Sequence, residues 1–217
     1  MPHHTARTAG QAPQTAGRTI HAARWYDLAA WLCSFGREPS IRRRTVELAG
    51  IREGESVLDV GCGTGTLTLA AKRRAGAGAV RGIDASPEMV QVARDKAARQ
   101  GVEVDFQVAL IEDLPFPDAS FDVVLSSLML HHLPDDLKRR GFLEIRRVLK
   151  QGGRLVAVDL SGANGIMGAV MRLMGHRFEE DYIGRLRTMA EESGLADIES
   201  GTVSAGLAYV RGYAGKE

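Results

Sequence analysis

The sequence has few of the features that would narrow its class at once. Its 217 residues include only two cysteines, and one of them, Cys62, lies between two glycines, where a disulfide would be hard to form. No run of about 18 uncharged apolar residues is present, and the N-terminus has no apolar stretch typical of a secretory signal. We therefore expect a cytoplasmic protein with reduced thiols and no integral membrane association.

The chain also has no excess of one charge. It carries 28 basic and 27 acidic side chains, a formal net charge of +1, so no global positive field exists to attract nucleic acid or an anionic membrane. Hydrophobic residues make up 44% and charged residues 25%, as in soluble globular proteins. We expect a monomer or homodimer with no nucleic-acid partner.

The domain organisation follows from changes in composition and periodicity. Residues 1–18 contain few large apolar groups and predict a disordered tail. The remaining residues, 19–217, are enough for a single domain. Its predicted parts, in chain order, are N-terminal helices over 19–50, an alternating core over 55–160, a candidate lid over 161–185, and a final helix and strands over 186–217.

Short apolar runs alternate with helical periodicity through the core. The predicted strands are 57–60, 79–84, 102–108, 121–127, 154–159, 198–203 and 207–213; the predicted helices among them are 67–74, 86–101, 135–150 and 186–194. Strands that alternate with helices form mostly parallel sheets. The sequence thus predicts an α/β, Rossmann-like doubly wound fold with a mostly parallel seven-stranded sheet, N-terminal helices and a small helical lid insertion.

A glycine cluster follows the first predicted strand. Gly61, Gly63 and Gly65 come directly after Asp59-Val60, and glycines at the carboxyl end of a strand let a ligand approach the backbone. Asp84 ends the second strand and can accept hydrogen bonds from both hydroxyls of a ribose. The spacing GxGxG differs from the dinucleotide pattern GxGxxG, so an amino acid joined to a nucleoside fits better than a dinucleotide.

Four segments carry a resemblance to a known family. VLDVGCGTG, GIDAS, EDLPFPDASFDVV and RVLKQGGRLVAVD occur in this order and resemble class I S-adenosylmethionine-dependent methyltransferases, in the group near the ubiquinone and menaquinone biosynthesis enzymes. The resemblance covers about residues 24–160. It implies S-adenosyl-L-methionine as methyl donor, S-adenosyl-L-homocysteine as product, and a small-molecule acceptor such as a quinol, phenol, amine or lipid-like compound.

The resemblance also implies which residues surround the donor. Asp59 is expected to orient the ammonium group of the donor, and Asp84 to hold the ribose. The residues expected beside the methionine part are Gly61, Gly63, Thr64 and Ser127, and those beside the adenine are Ala85, Met89, Leu110, Ile111 and Glu112. Cys62, within the glycine cluster, is also expected to be a donor-binding residue. Relatives usually have Asp or Asn where this chain has Leu110, so one side-chain hydrogen bond to the adenine is missing. Such a bond contributes about 1 kcal/mol.

Three residues are candidates for catalysis. His131 and His132 follow the fourth strand and so lie at the rim where a general base would be needed by a weakly acidic acceptor. A structural pair is an equal alternative, and joint metal ligation is disfavoured because adjacent side chains point apart; we predict no metal. Quinone relatives usually carry Arg-Asn here, which argues against an identical acceptor chemistry. Tyr26 matches an N-terminal Tyr-Asp pair that in relatives closes over the donor, and plain packing is its alternative.

Two other functions remain open on the sequence alone. Leu110 and the absence of an unambiguous base are compatible with a catalytically silent S-adenosylmethionine-binding protein. An NAD-dependent oxidoreductase would share the glycine-rich turn. Binding of S-adenosylmethionine distinguishes the methyltransferase from an NAD-dependent oxidoreductase. Methyl transfer to an acceptor distinguishes the methyltransferase from a catalytically silent donor-binding protein.

Overall fold

The computed structural model describes residues 38–161, 181–204 and 206–215. The described helices are α1 (Glu38–Ala49), α2 (Thr66–Ala75), α3 (Pro87–Gln100), α4 (Asp135–Val148) and α5 (Tyr182–Glu192), with a short 3₁₀ helix at Leu130–His132. The strands are β1 (Val57–Val60), β2 (Val80–Asp84), β3 (Asp105–Val108), β4 (Phe121–Ser127), β5 (Leu149–Leu160), β6 (Leu195–Ser204) and β7 (Leu207–Ala214).

The strands form one seven-stranded sheet in the order β3-β2-β1-β4-β5-β7-β6. The first five pair in parallel, and β7 runs antiparallel to both β5 and β6. Strand β1 lies inside the sheet between β2 and β4, with Val57 opposite both Val80 and Val123. The predicted α/β fold with a mostly parallel seven-stranded sheet is confirmed.

The sheet is covered on both faces, which explains why β1 is apolar on both sides. Leu58 and Val60 belong to a core shared with α4 and α5, whereas Val57 packs on the opposite face with residues of α1 and α2. Parallel strands buried on both faces have continuous apolar runs rather than alternation, and all four residues of β1 are buried. Within β1, only Asp59 places a charge in this interior.

Strand β3 lies at the sheet edge and begins later than expected. The predicted range was 102–108, and the strand starts at Asp105. The amide of Val102 donates to the carbonyl of Ala97, and Gly101 ends α3 in the left-handed conformation. The C-terminal cap of α3 therefore uses the backbone of Val102 that would otherwise begin the strand.

Further boundaries differ from the prediction, among them the start of β5, which is Leu149 rather than residue 154. Helix α4 ends at Val148 instead of Lys150, and Gly152 and Gly153 lie in an irregular stretch of β5 between the pairs of Leu149 and Arg154 with β4. Strand β6 starts at Leu195 rather than 198. Helix α5 starts at Tyr182, inside the range 161–185 assigned to a candidate lid, because Asp181 caps it by accepting from the amide of Gly184.

Several predicted features lie outside the described residues. These are the tail at 1–18, the part of the N-terminal helices before residue 38, and the candidate lid between 162 and 180. In the ranges the structure describes, no helix has the length and apolar character that crossing a membrane requires.

Candidate active site

The candidate site lies at the carboxyl edge of the parallel strands, where Gly61–Gly65 (the glycine loop) connects β1 to α2. The amides of Gly61 and Cys62 both donate to the carbonyl of Ile83 at 2.8 Å, which ties the loop to β2. Gly61 has φ +72°, and a Cβ there would lie 2.3 Å from Cγ of Met129. Only glycine combines this backbone conformation with this close approach. The side chain of Met129 therefore packs against Gly61, and the backbone of Gly61 and Gly63 is half-buried at the strand end.

Asp84 joins the glycine loop to the start of α3. Its Oδ2 accepts from the amide of Gly63 at 2.8 Å, and its Oδ1 accepts from the amide of Ser86 at 2.9 Å. Burial raises the pKa of Asp84 above its ordinary value, and the two backbone hydrogen bonds offset part of that increase. A carboxylate has about four acceptor positions, so Asp84 has capacity beyond these two bonds.

Asp59 lies deeper than Asp84, at 1% exposure. Its Oδ2 accepts from the hydroxyl of Thr68 in α2 at 2.6 Å. Burial raises the pKa of Asp59 to about 7; the Thr68 hydrogen bond and the charge of Arg42 lower it, and the charge of Asp84 raises it further. Near neutral pH this carboxyl changes its charge, so a cation bound beside it would favour the ionised form.

The side chains of Cys62 and Thr64 in the glycine loop are buried. The thiol of Cys62 packs in a core cluster with Phe106, and burial raises its pKa well above the ordinary value. The hydroxyl of Thr64 accepts from Nζ of Lys96 at 3.0 Å, on the side of α3. Cys62 thus contributes backbone, rather than its thiol, to the loop.

The residues predicted near adenine lie after β2 and β3. Leu110 is half-buried, and its carbonyl accepts from the amide of Asp113 at 3.3 Å. The side chain of Ile111 is buried in the core, where it fills the space that a Cβ on Gly141 would occupy. The other residues of this set are half-buried Ala85 and Glu112 and buried Met89. Because the side chain of Ile111 lies in the core, this residue could contact a ligand only through its backbone.

The end of β4 completes this edge. Ser127 is half-buried and pairs with Val158 of β5. Leu128 follows with φ +54°, a conformation that a non-glycine residue seldom adopts. This reversal leads into the 3₁₀ helix that carries His131 and His132. The backbone strain lies beside the candidate chemistry, where such strain tends to concentrate.

His131 is held by a buried carboxylate. Its Nδ1 lies 2.6 Å from Oδ1 of Asp159, and its backbone amide donates to Oδ2 of the same residue at 3.0 Å. Asp159 is 1% exposed and lies near the carboxyl end of β5. The ring of His132 lies 3.9 Å from that of His131, centroid to centroid. The two adjacent histidines thus differ, because this carboxylate orients His131.

Helices α4 and α5 bring further polar groups against Asp159. The hydroxyl of Tyr182 lies 3.4 Å from Oδ2 of Asp159; burial, together with the charge and hydrogen bond of Asp159, raises the pKa of Tyr182. Nζ of Lys138 lies 5.0 Å from the centre of the Tyr182 ring and donates to Asp135 at 3.0 Å. Burial lowers the pKa of Lys138, and the charge of Asp159 partly offsets that effect.

Four residues of this region were not predicted from the sequence: Thr68, Lys138, Asp159 and Tyr182. A signal existed for Asp159 alone, because it ends the predicted strand beside β4, and carboxyl ends of neighbouring parallel strands meet. Tyr26 lies outside the described residues, so the structure does not place it. The described ranges hold no group of three or more His, Cys, Asp or Glu arranged for a metal ion.

A cavity of about 420 Å³ lies at the opposite, amino edge of the sheet, lined in part by Arg52, Glu55 and Arg154. It is far from the glycine loop along the strands. Arg154 in this cavity already pairs with Glu55 at 2.7 Å. The chemistry of the strand ends, and not cavity size, therefore marks the candidate site.

Comparison with known proteins agrees with this location. The family model described as "Methyltransferase domain" matches residues 57–153, from β1 into β5. The demethylmenaquinone methyltransferase of Thermus thermophilus is 40% identical over 153 residues, which are 70% of this chain and 69% of the relative. The ubiquinone/menaquinone biosynthesis C-methyltransferase UbiE of Paraburkholderia phymatum is 32% identical over 221 residues, which cover 91% of this chain and 90% of the relative.

Other curated relatives with these names match over a smaller part of their length, such as 54% in Hydrogenovibrio crunogenus and 61% in Tropheryma whipplei. A solved structure of an S-adenosylmethionine-dependent methyltransferase from Aquifex aeolicus aligns with a TM-score of 0.64 at 22% identity, covering 80% of this chain and 89% of that one. At this identity the structural likeness shows the fold alone.

Proposed function

Because the chain belongs to the family of S-adenosylmethionine-dependent methyltransferases with this methyltransferase domain, we propose that it transfers the methyl group to a ring carbon of a quinol. The enzyme class and the donor follow from the family. The acceptor is proposed from the printed names of the relatives, demethylmenaquinone methyltransferase and ubiquinone/menaquinone biosynthesis C-methyltransferase. Because His131 and His132 stand where quinone relatives usually carry Arg-Asn, we propose that this chain shares the acceptor class of these relatives and differs in the residues that remove the acceptor proton. The relatives favour neither a silent donor-binding protein nor an NAD-dependent oxidoreductase.

The single observation that carries the proposal is the carboxyl edge itself. The half-buried backbone of Gly61 and Gly63 lies beside two carboxylates, Asp59 and Asp84, whose pKa values burial raises. S-adenosylmethionine supplies an electrophilic methyl group on a cationic sulfur and also carries an ammonium group. Positive charge beside a buried carboxyl favours its ionised form, so the donor has the charge that this edge suits.

We assign the donor-binding roles as follows. Asp84 binds the ribose hydroxyls with its remaining acceptor capacity, and Asp59 favours the ammonium group through its charge. The backbone of the glycine loop and Ser127 hold the methionine part. The adenine lies against Ala85, Met89, Leu110 and Glu112. Leu110 has no polar side chain that could bond the adenine, so the adenine is bound by the backbone of Ile111 and Glu112. We expect the missing side-chain hydrogen bond to weaken donor binding by about 1 kcal/mol.

We assign acid–base chemistry to the 3₁₀ helix after β4. A quinol hydroxyl is a weak acid, and its ring carbon becomes more nucleophilic as the proton leaves, so a base within hydrogen-bond reach accelerates the reaction. His131 is the proposed base, His132 borders the acceptor beside it, and Tyr26 closes over the donor. Methyl transfer otherwise depends on bringing the two reactants to near-attack distance.

The proposal is tested by supplying the purified protein with trideuteromethyl-labelled donor and a reduced, demethylated naphthoquinol without oxygen. We expect a labelled product whose fragmentation places the methyl group on a ring carbon. Catechol serves as a comparison acceptor that accepts methyl on oxygen. A Gly61→Val variant is the matched inactive control, because the valine side chain would collide with the side chain of Met129. Label appearing only on catechol oxygen, or none from the quinol by a parent that binds donor, would contradict the acceptor assignment.

A further inference from the structure

Asp159 is saturated with hydrogen-bond donors. Besides the ring and backbone of His131, it accepts from the amide of Leu160 at 2.8 Å and from the hydroxyl of Tyr182 at 3.4 Å. Two of these donors are backbone amides, which can only donate. A carboxylate has about four acceptor positions, and Asp159 accepts four hydrogen bonds. Its ionised form is therefore fully hydrogen-bonded, although the residue is only 1% exposed.

This saturation decides which ring nitrogen of His131 carries the proton. Hydrogen bonds to the ionised form of a carboxyl favour that form, and a carboxylate can only accept. The 2.6 Å contact therefore requires a proton on Nδ1 of His131. Because the tautomer of a histidine is set by the bond that one nitrogen makes, the lone pair of the neutral ring lies on Nε2.

The surrounding elements stabilise this arrangement. His131 and Tyr182 bond Asp159, and the charge of Asp159 acts on Lys138. Around these residues, His132 lies against His131, and Asp135 pairs with Lys138 and Arg185. Asp135 binds both Lys138 and Arg185, so these cations have a carboxylate of their own. The raised pKa of Tyr182 keeps its hydroxyl protonated and thus a donor to Asp159.

We infer that Asp159 is a positioning residue that holds His131 in the Nδ1–H tautomer and so presents Nε2 as the base for the acceptor hydroxyl. This inference rests on the proposed function and specifies how its base is prepared. It also distinguishes the roles of the two adjacent histidines, because Asp159 orients the ring of His131. Asp159 is only 1% exposed and acts through His131.

The proposed step balances as follows. The hydroxyl proton of the quinol moves to Nε2, and the resulting imidazolium is stabilised by the charge of Asp159. The electron pair released into the ring forms the new carbon–carbon bond to the methyl group, and the pair of the broken carbon–sulfur bond stays on sulfur. The proton of the methylated ring carbon then leaves to water, and His131 returns its proton to the oxygen. One proton is released overall.

The test is nitrogen NMR of full-length protein labelled with ¹⁵N-histidine, with the His131 signals identified by their loss in His131→Gln. In the parent, we expect a protonated Nδ1 and an unprotonated Nε2 for the neutral ring. In Asp159→Asn, the amide can donate to Nδ1, so the proton should move to Nε2. Asp122→Asn, the same change at the opposite edge of the sheet, should keep the tautomer of the parent.

Turnover of the quinol gives the second measurement. For Asp159→Asn, we expect kcat to fall by about 100-fold or more, the contribution typical of general acid–base catalysis, with KM and donor affinity close to those of the parent. Donor affinity also reports that the variant is folded. Tyr182→Phe, which removes one long hydrogen bond, should lower kcat by only a few-fold.

The outcomes are distinguishable. A proton on Nε2 in the parent, or the same tautomer in an Asp159→Asn variant that still binds donor, overturns the inference alone. An altered tautomer with unchanged kcat also overturns it. A parent that binds donor and methylates no quinol overturns the proposed function, and with it the catalytic use of His131.

Discussion

At the amino edge of the sheet, Glu55 and Asp122 lie against Arg154 and Lys150, whereas at the carboxyl edge Asp59 and Asp84 lie against backbone amides and a hydroxyl. Burial raises the pKa at both edges. For Glu55 and Asp122, hydrogen bonds from the cations and from backbone outweigh burial, and the pKa is lowered. For Asp59 and Asp84 burial prevails.

This difference separates a stabilising edge from a binding edge. The carboxylates at the amino edge are stabilised by their cationic partners before any ligand binds. Their interactions therefore contribute to the free energy of unfolding. Carboxylates with raised pKa values gain most from a ligand that brings positive charge, so the carboxyl edge contributes to binding. The same residue type therefore has opposite uses at the two ends of one sheet.

The largest expected change comes from breaking the amino edge at Arg154. Its guanidinium bonds Glu55 and the carbonyls of Ala49 and Gly50, and both ionic partners are mostly buried. Arg154→Ala leaves Glu55 buried without its partner, and we expect the free energy of unfolding to fall by about 3 kcal/mol. Chemical denaturation followed by circular dichroism measures it.

A matched control lies on α1, where Arg43 and Glu47 form an exposed pair. Arg43→Ala should change the free energy of unfolding by less than about 0.5 kcal/mol. Donor affinity should be the same in both variants. If Arg154→Ala left stability intact and weakened donor binding, the division between the two edges would be wrong.

Donor binding should respond most to Asp84. Removing its carboxylate releases the amides of Gly63 and Ser86 and deletes the proposed ribose contacts. Hydrogen bonds to a charged group contribute about 1.5–3 kcal/mol each, so Asp84→Ala should weaken S-adenosylmethionine binding by roughly 100-fold or more. Calorimetric titration measures the affinity, and Asp122→Asn should bind as the parent does. Equal affinity for Asp84→Ala and the parent would refute the assignment.

The two edges should also respond to pH in opposite directions. The raised pKa of Asp59 stabilises the free protein below the ordinary aspartate pKa, and this contribution is lost as pH rises towards about 7. The lowered pKa of Asp122 stabilises it above the ordinary pKa, and this contribution is lost as pH falls through the lowered value. Raising pH from 4 to 8 should thus make the parent less stable relative to Asp59→Asn.

For Asp122→Asn the sign reverses. This variant should be less stable than the parent at neutral pH, and the difference should disappear as the pH falls through the lowered pKa of Asp122. Thermal unfolding of the three proteins over this pH range provides the measurement. Parallel pH profiles for parent, Asp59→Asn and Asp122→Asn would show that the edges do not differ as stated.

The smallest effect is expected at Cys62, which belongs to the glycine loop by sequence but to the core by its side chain. Cys62→Ala should leave donor affinity within about twofold and lower the free energy of unfolding by about 1 kcal/mol, as typical substitutions do. The two quantities come from the same titration and denaturation experiments. A large loss of donor affinity without loss of stability would place the thiol at the ligand instead.

Most of the fold could be predicted from the sequence because its signals are local. The glycine loop, the end of β2 at Asp84 and the alternation of strands with helices all follow from neighbouring residues. The start of β3 and the end of α4 could not, since they depend on which backbone groups the helix caps use, as at Val102.

The site was less predictable for the same reason. Asp59 and Asp84 belong to continuous motifs, and their positions at the strand ends follow from the parallel sheet. The pairing of His131 with Asp159 joins residues 28 positions apart, and the approach of Tyr182 depends on the packing of α5. The inward direction of the Cys62 thiol is likewise set by packing against Phe106, which the glycine pattern does not encode.

The most direct test of the central claim is the proton balance of donor binding. Titration calorimetry with S-adenosylmethionine at pH 6, in buffers of different ionisation enthalpy, reports protons released on binding. If the cationic donor binds beside Asp59 with its pKa of about 7, the parent should release up to about one proton per donor, and Asp59→Asn should release far less. Binding heats that are independent of the buffer in the parent would contradict the account.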